Sequence, residues 1–261
     1  MDVLTPRTLE EALRLKAERP DAVPIQGGTD VMVDLNFDRA RPVALLNLNE
    51  VAELRGWTRQ NGTMWLGSGL TYADAMERPL AEALPALAEA ARTVGGPQIR
   101  NRGTIGGNLG TASPAGDALP PLLVCGAEVK VASTRGERIV PLPDFVVGPK
   151  RNVLAEDELI LGVSVEATES RQTFMKVGPR NAMVIAVVSL AVRIDGEHVR
   201  AAFGSAGPVP TLVRADIRDA DSFPQRVVEA ASPIDDVRGT ALYRRHALHI
   251  LTRRALDRCL V

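Results

Sequence analysis

The chain has 261 residues, of which 45% are hydrophobic and 24% are charged, which is enough for two modest domains or one large one. Its 31 basic and 32 acidic residues leave a formal net charge of −1, and this balance argues against a dedicated nucleic-acid binder, which needs a basic surface. No apolar run reaches roughly 18 residues, so we expect no membrane-spanning helix. Acidic residues among the first fifteen favour folded structure over a cleaved signal, which predicts a cytoplasmic protein.

Metal ligands are scarce in this sequence. It has two cysteines, Cys125 and Cys259, and three histidines, whereas an iron–sulfur cluster typically uses four thiolates. His246 and His249 lie three residues apart on a predicted helix, but no third ligand is evident, so a histidine pair without a metal is the favoured interpretation. We therefore expect no metal site.

The first fifty residues predict a β–α–β–β unit. The capping-box pattern Thr8–Glu11 begins its helix, and apolar runs over 22–26 and 43–48 predict two of its strands. The earlier of these runs leads directly into Gly27-Gly28-Thr29-Asp30.

Residues 56–150 predict a second unit built around an irregular centre. Helices are predicted from Thr71 and over 84–91, whereas residues 95–121 are rich in Gly, Pro, Asn, Ser and Thr and predict a loop. The predicted strands of this unit cover 64–67, 128–133 and 137–140, the last two as a hairpin.

The last third predicts strands followed by helices, which indicates an α+β layer rather than alternating βαβ units. The predicted strands cover 158–166, 173–177, 183–194 and 198–205, and the predicted helices cover 223–231 and the residues from Thr240 onward. The last helix carries basic residues that form either a solvated face or a docking surface for a partner: Arg244, Arg245, Arg253, Arg254 and Arg258.

Two Gly-rich segments carry the chemical information. In Gly27-Gly28-Thr29-Asp30, consecutive glycines let backbone N–H groups converge on an anion, and the threonine hydroxyl adds a donor. The segment 103–117 offers a second glycine pair followed by polar residues, so the two could hold a diphosphate from two sides. Arg100 and Arg102 flank it and either attract phosphate or form a solvated rim. A lone glycine pair is usually only a tight turn, and neither segment has Rossmann or Walker spacing.

Taken together, the segments resemble the FAD-binding subunit of the molybdenum hydroxylases, the family of xanthine dehydrogenase and carbon monoxide dehydrogenase. The stretches that carry the resemblance are 27–30, 99–108, 112–117, 177–183, 233–239 and 243–246. The resemblance implies an α+β fold, with a two-subdomain PCMH (vanillyl-oxidase)-type FAD-binding domain followed by a small α+β C-terminal domain. The implied boundaries are 1–55 and 56–165 for the subdomains and 166–261 for the C-terminal domain.

The resemblance also implies that FAD is the cofactor and that no side chain of this chain is catalytic. The implied cofactor-binding residues are Pro24, Ile25, Gln26, Gly27, Gly28, Thr29, Asp30, Val31, Val94, Gly95, Thr104, Gly106, Gly107, Asn108, Thr111, Ser113, Asp117, Leu159, Ile160 and Lys176. Asp117 should accept from ribityl or ribose hydroxyls, because a carboxylate facing the diphosphate would be repelled. Lys176 either lies near the ring and favours reduced flavin or is an exposed lysine at a strand end. Trp57, Trp65, Tyr72 and Phe174 are the aromatic candidates to cover the flavin.

The function that the resemblance implies is electron transfer. A large molybdopterin-binding subunit and a small [2Fe–2S] subunit would be the partners, and FAD would pass electrons to NAD⁺ or another acceptor. Gly178-Pro179-Arg180-Asn181 favours a xanthine or purine dehydrogenase. The alternatives are a flavin subunit that serves carbon monoxide, an aldehyde or an N-heterocycle, and a noncatalytic nucleotide-binding scaffold that has lost flavin.

Overall fold

The computed structural model of the chain describes residues 1–167, 169–181 and 183–260. Three sheets of three, five and four strands and one two-stranded hairpin organise this part of the chain. Ala182, within the motif at 177–183, and Thr168 and Val261, within the predicted C-terminal domain, lie outside the described residues. The mixture of helices and sheets agrees with the predicted α+β class.

The first sheet is parallel and lies at the N-terminus. Its unit contains β1 (Asp2–Leu4), α1 (Leu9–Glu18), β2 (Val23–Ile25), α2 (Val31–Asn36) and β3 (Ala44–Asn47). The strand order is β1-β3-β2, and Thr8 caps α1 as predicted, because its hydroxyl accepts the N–H of Glu11 at 3.2 Å. The helix α2 was not predicted, and it begins directly after the Gly27–Asp30 loop.

The second sheet is antiparallel, with strand order β4-β5-β10-β6-β7. Its unit contains β4 (Trp57–Gln60), β5 (Thr63–Gly67), α3 (Leu80–Ala83), α4 (Pro85–Thr93), α5 (Pro97–Arg100), α6 (Ile105–Thr111), α7 (Leu119–Val124), β6 (Glu128–Ser133), β7 (Gly136–Pro141), α8 (Leu142–Phe145), β8 (Val146–Gly148), β9 (Arg151–Asn152) and β10 (Leu159–Glu166). The loop predicted over 95–121 is wrong in part, because it contains the short helices α5 and α6 and the start of α7. Burial of Ile105 and Leu109 supports α6 although glycines weaken its helix propensity.

The third sheet is antiparallel, and its strands follow one another in chain order. Its unit contains β11 (Arg171–Val177), β12 (Val188–Asp195), β13 (His198–Gly204), β14 (Thr211–Asp216), α9 (Phe223–Glu229) and α10 (Ala241–Leu260). The strand predicted over 183–194 starts only at Val188, because β11 ends at Val177, which pairs with Val188. Met183 in the preceding loop has a left-handed backbone (φ 50°), and the N–H of Val187 donates to the carbonyl of Val177 at 2.8 Å.

The third sheet is buried on both faces. Leu190 and Phe203 pack with residues of α9 and α10, such as Leu251. Phe174 and Ala191 belong instead to the core of the second unit. The sheet is therefore anchored to the second unit, and the loop between β11 and β12 is held next to it.

One of the basic residues of the last helix is not on the surface. Arg244 is only 1% exposed, and its guanidinium donates to the carbonyl of Val187 at 3.0 Å and to the carboxylate of Asp236 at 2.6 Å. The interpretation as a solvated or docking face is therefore wrong for Arg244, which fastens α10 to the start of β12.

Candidate cofactor-binding site

The first Gly-rich loop follows β2 and packs against the second segment. A Cβ atom on Gly27 would overlap the backbone carbonyl oxygen of Arg102, so only glycine fits this close approach. The Arg102 guanidinium donates to the carbonyl of Gln26 at 3.0 Å and to the side-chain oxygen of Asn49 at 3.1 Å. Arg102 therefore ties the two segments together and is more than a solvated rim.

The backbone of the first loop presents unused donors. Within the described part of the chain, no hydrogen bond uses the N–H groups of residues 27–30. Gly28 has a left-handed backbone with φ 74°, a conformation that turns successive N–H groups toward a common point. The loop is therefore suited to an anion.

The second segment differs from the prediction, because its glycine pair is not a free turn. Gly106 and Gly107 form the first turn of α6, and the Thr104 hydroxyl caps the helix by accepting the N–H of Gly107 at 3.0 Å. The N–H of Gly106 donates to the carbonyl of Ser68 at 2.8 Å. These two amides are thus occupied by the protein, and the segment offers mainly side chains to a ligand.

One cleft of about 570 Å³ brings the predicted residues together. It is lined by every predicted cofactor-binding residue except Gly95 and Lys176, which line a neighbouring cavity. The hydroxyl of Thr111 donates to the Asp30 carboxylate at 3.1 Å, which joins the two segments across the cleft. The volume is within the usual range for small-molecule sites.

Sequence reasoning missed several residues of the cleft wall. They come from all three units and include Leu48, Ser68, Leu154, Glu158 and Ile185. Glu158 accepts from the Arg138 guanidinium at 2.7 and 2.6 Å, and this hydrogen bonding lowers the pKa of its carboxyl. No local pattern marks these positions, since only folding places them beside the loops.

Tyr72 is the one aromatic candidate that lines the cleft, whereas Trp57, Trp65 and Phe174 do not. Its side chain is buried, and burial together with the negative charge of Asp117 raises the pKa of its phenol. The phenol therefore stays neutral and presents an apolar ring with a polar end to a ligand.

Asp117 and Lys176 form a buried ion pair behind the cleft. The Lys176 ammonium lies 2.5 Å from one Asp117 carboxylate oxygen and donates to the backbone carbonyl of Thr93 at 3.3 Å. Burial raises the pKa of the Asp117 carboxyl, and the ammonium offsets part of this effect. Lys176 is 5% exposed along its side chain, so the alternative of an exposed lysine at a strand end is wrong.

Three buried polar atoms on the cleft wall have no partner in the described protein. They are the hydroxyl oxygen of Ser68, the side-chain oxygen of Asn108 and the second carboxylate oxygen of Asp117. Because buried polar groups are normally paired, these atoms indicate a ligand with hydroxyl or amide donors. The cleft thus combines N–H donors for an anion with acceptors for polar hydrogens.

Comparisons with known proteins agree with this chemistry. Residues 1–166 match the family model described as the FAD binding domain in molybdopterin dehydrogenase. The xanthine dehydrogenase FAD-binding subunit of Escherichia coli O157:H7 is 30% identical over 96% of this chain and 92% of its own length. The nicotinate dehydrogenase FAD-subunit of Eubacterium barkeri is 34% identical over 76% of this chain and 70% of its own length.

A solved structure extends the likeness to the whole described fold. The carbon monoxide dehydrogenase of Hydrogenophaga pseudoflava that lacks the Mo-pyranopterin moiety of its molybdenum cofactor superposes with a TM-score of 0.92 at 25% identity, covering 100% of this chain and 97% of that chain. The fold and the cleft define a flavin-binding subunit of an oxidoreductase. The chain belongs to the FAD-binding family of molybdopterin dehydrogenases, and its cofactor is FAD.

FAD fits the residues of the cleft. Its diphosphate needs donors, which the free N–H groups of the first loop supply, and its ribityl hydroxyls need acceptors such as the unpaired oxygens of Asn108 and Asp117. Among the described residues, no three His, Cys, Asp or Glu side chains are grouped to hold a metal. No helix of the described chain is both long and apolar enough to cross a membrane.

Proposed function

We propose that this chain is the electron-transfer subunit of a xanthine or purine dehydrogenase-like molybdenum hydroxylase. Its partners are a large molybdopterin-binding subunit and a small subunit with [2Fe–2S] clusters, from which electrons reach NAD⁺ or another acceptor through FAD. One observation carries the proposal: the free amides of residues 27–30 and the polar side chains of the second segment line the same cleft. The names of the relatives, which are subunits of larger dehydrogenases, support the partners.

The residues of this chain bind and orient the cofactor and need not transfer protons. The amides of residues 27–30 hold the diphosphate, the free oxygen of Asp117 accepts from a hydroxyl, and Leu159 and Ile160 supply an apolar edge. When bound, FAD supplies the redox chemistry that connects one-electron and two-electron partners. Lys176 orients the Asp117 carboxylate through their ion pair and offsets part of the burial that raises its pKa.

The choice of xanthine or a related purine rests on Gly178-Pro179-Arg180-Asn181 in the loop after β11. Coverage does not separate the substrates, because the xanthine dehydrogenase relative matches 96% of this chain and a carbon monoxide dehydrogenase medium chain matches 97%. The second candidate is a flavin subunit of a nicotinate dehydrogenase. The nicotinate dehydrogenase FAD-subunit of Eubacterium barkeri is more similar to this chain, at 34% identity, but over a shorter stretch, 76% of the chain. The two candidates differ in the partner chain that selects the substrate.

Purification of the complex from its natural host tests the proposal. Mass spectrometry should find two further chains, one with molybdopterin and one with iron–sulfur clusters, and xanthine should reduce the flavin faster than nicotinate does. Reduction of the FAD-loaded chain by NADH without oxygen tests the acceptor. A colourless chain that takes up no FAD would contradict the whole proposal, whereas faster reduction by nicotinate would contradict only the substrate.

A further inference from the structure

One part of the cleft wall is a short irregular segment, residues 153–158, which joins β9 to β10 and is called the wall segment below. Leu154 and Glu158 of this segment line the cleft, and the segment leads directly into Leu159 and Ile160 of β10, which also line it. A segment outside helices and strands lacks a regular ladder of backbone hydrogen bonds, so other groups must hold it. The position of this wall therefore depends on side chains.

The exposed hairpin of β6 and β7 holds the wall segment from behind. The Nε of Arg138, on β7, donates to one carboxylate oxygen of Glu158 at 2.7 Å, and a terminal nitrogen of Arg138 donates to the other oxygen at 2.6 Å. The same terminal nitrogen donates to the carbonyl of Val153 at 2.9 Å, so one guanidinium joins both ends of the segment. The turn of the hairpin adds a contact from Arg135 to the Asp157 carboxylate. Paired bonds between a guanidinium and a carboxylate fix orientation as well as distance.

Glu158 is suited to anchor the wall rather than to bind the cofactor directly. Besides the bonds from Arg138, its carboxylate accepts the N–H of Ala155 at 2.8 Å, so the protein fills three of the about four acceptor positions of this group. Its side chain is only 7% exposed, and a pair that is partly buried is screened less by solvent and salt than an exposed one. The pair can therefore fix the end of the wall segment.

Arg138 itself does not line the cleft, and its side chain is 42% exposed. We propose that Arg138 is a positioning residue for FAD, which acts through Glu158 by holding the wall segment in place for the cofactor. A surface hairpin that contributes no residue to the cleft thus controls the affinity for FAD. This role goes beyond the proposed function, because it depends neither on the partner subunits nor on the substrate.

Titration of the FAD-free full chain with FAD, followed by quenching of flavin fluorescence, tests the role. Arg138→Gln should raise the FAD dissociation constant at least about tenfold, which equals about 1.4 kcal/mol. The matched control is Lys130→Gln, which breaks the more exposed Lys130–Glu137 pair of the same hairpin and should change the constant less than about twofold. Arg138→Lys keeps the charge but not the paired donors, so its constant should lie between the two, and it carries the test if Arg138→Gln does not fold.

The double variant Arg138→Gln/Glu158→Gln separates an action through Glu158 from an independent one. If Arg138 acts through Glu158, the double variant should bind FAD less than about twofold more weakly than the weaker-binding single variant. Losses that multiply would contradict a common action.

Hydrogen exchange of the FAD-free chain shows whether Arg138 holds the wall. Amides of residues 153–158 should exchange faster in Arg138→Gln than in the unchanged chain or in Lys130→Gln, whereas those of α6 should keep their rate. Unaltered exchange in the wall segment, or equal weakening of FAD binding in Arg138→Gln and Lys130→Gln, would overturn the proposal. A chain that takes up no FAD would contradict both this role and the proposed function, whereas FAD binding that is insensitive to Arg138 would contradict this role alone.

Discussion

Gly27 is the residue at which the two halves of the cleft come closest. Alanine at this position would drive a Cβ atom into the carbonyl of Arg102, so the first loop would have to move away from the second segment. We expect Gly27→Ala to weaken FAD binding at least about tenfold, which equals about 1.4 kcal/mol, as measured by flavin fluorescence quenching. The matched control is Gly110→Ala in the same cleft, because its Cβ would meet only the Ile160 side chain at 3.8 Å. Equal losses in the two variants would contradict the close-approach argument.

The Asp117–Lys176 pair should show strong coupling between its two members. Lys176→Met leaves a buried carboxylate without its partner, and breaking such a pair costs about 3–5 kcal/mol. The neutral double variant Asp117→Asn/Lys176→Met should recover more than half of that loss in urea unfolding of the FAD-free chain, because no uncompensated charge remains. If the double variant lost as much unfolding free energy as the two single variants lose together, the two residues would not be coupled.

At the level of residues, the sequence allowed prediction of the loops but not of the arrangement behind them. The glycines and Asp117 belong to the sequence motifs that carry the family resemblance. These motifs include Gly27, where the two segments approach closely, and Asp117, whose second carboxylate oxygen has no protein partner. By contrast, nothing local distinguishes Ser68, Glu158 or Ile185, because each reaches the cleft only through long-range packing. The placement of Lys176 behind Asp117 is likewise a property of how β11 packs on α4.

At the level of elements, most of the longer strands were predictable, whereas β4, β14 and the short helices α2, α5 and α6 were not. The hairpin of β6 and β7 has alternating residues that reveal it, whereas α6 has three glycines and forms because Ile105 and Leu109 are buried and Thr104 caps it. The loop at 183–187 has the apolar residues of a strand. It lies outside the sheet because β11 ends at Val177, opposite Val188, and leaves no strand for these residues to pair with, which no sequence pattern reveals.

The attachment of α10 should depend on pH through Asp236. Burial raises the pKa of this carboxyl, but hydrogen bonds from Arg238 and Arg244 outweigh it and bring the pKa to about 2 from the ordinary 3.8. Because folding lowers the pKa of Asp236, its ionised carboxylate stabilises the fold fully at a pH well above the ordinary pKa of 3.8. This stabilisation is lost as the pH falls through the pKa of the folded state. We expect Asp236→Asn to reduce the unfolding free energy by roughly 2 kcal/mol at pH 7 and by about half as much at pH 3. Urea unfolding at both pH values measures this, and a constant difference would contradict it.

At the level of the whole molecule, the cleft is assembled from parts that are far apart in the sequence. The first loop, the second segment and Ile185 belong to three different sheets with their connections. The boundaries near residues 55 and 165 remain a prediction. The third sheet shares its Phe174 face with the core of the second unit, so the loop that carries Ile185 is positioned by packing rather than by a flexible linker.

FAD should therefore stabilise all three parts together. A ligand that binds only the folded state adds about 2.7 kcal/mol of stability at a free concentration of one hundred times its dissociation constant, which for a chain of this size raises the melting temperature by roughly 5–10 °C. We expect circular dichroism to show one transition that moves upward with FAD, and we expect hydrogen exchange to slow in all three parts, at the 27–30 loop, at α6 and around Ile185. Gly27→Ala should lose most of the shift at the same FAD concentration, whereas Gly110→Ala should keep it. Protection confined to the first loop, or a second transition that FAD leaves unmoved, would mean that the cofactor does not bridge the three units.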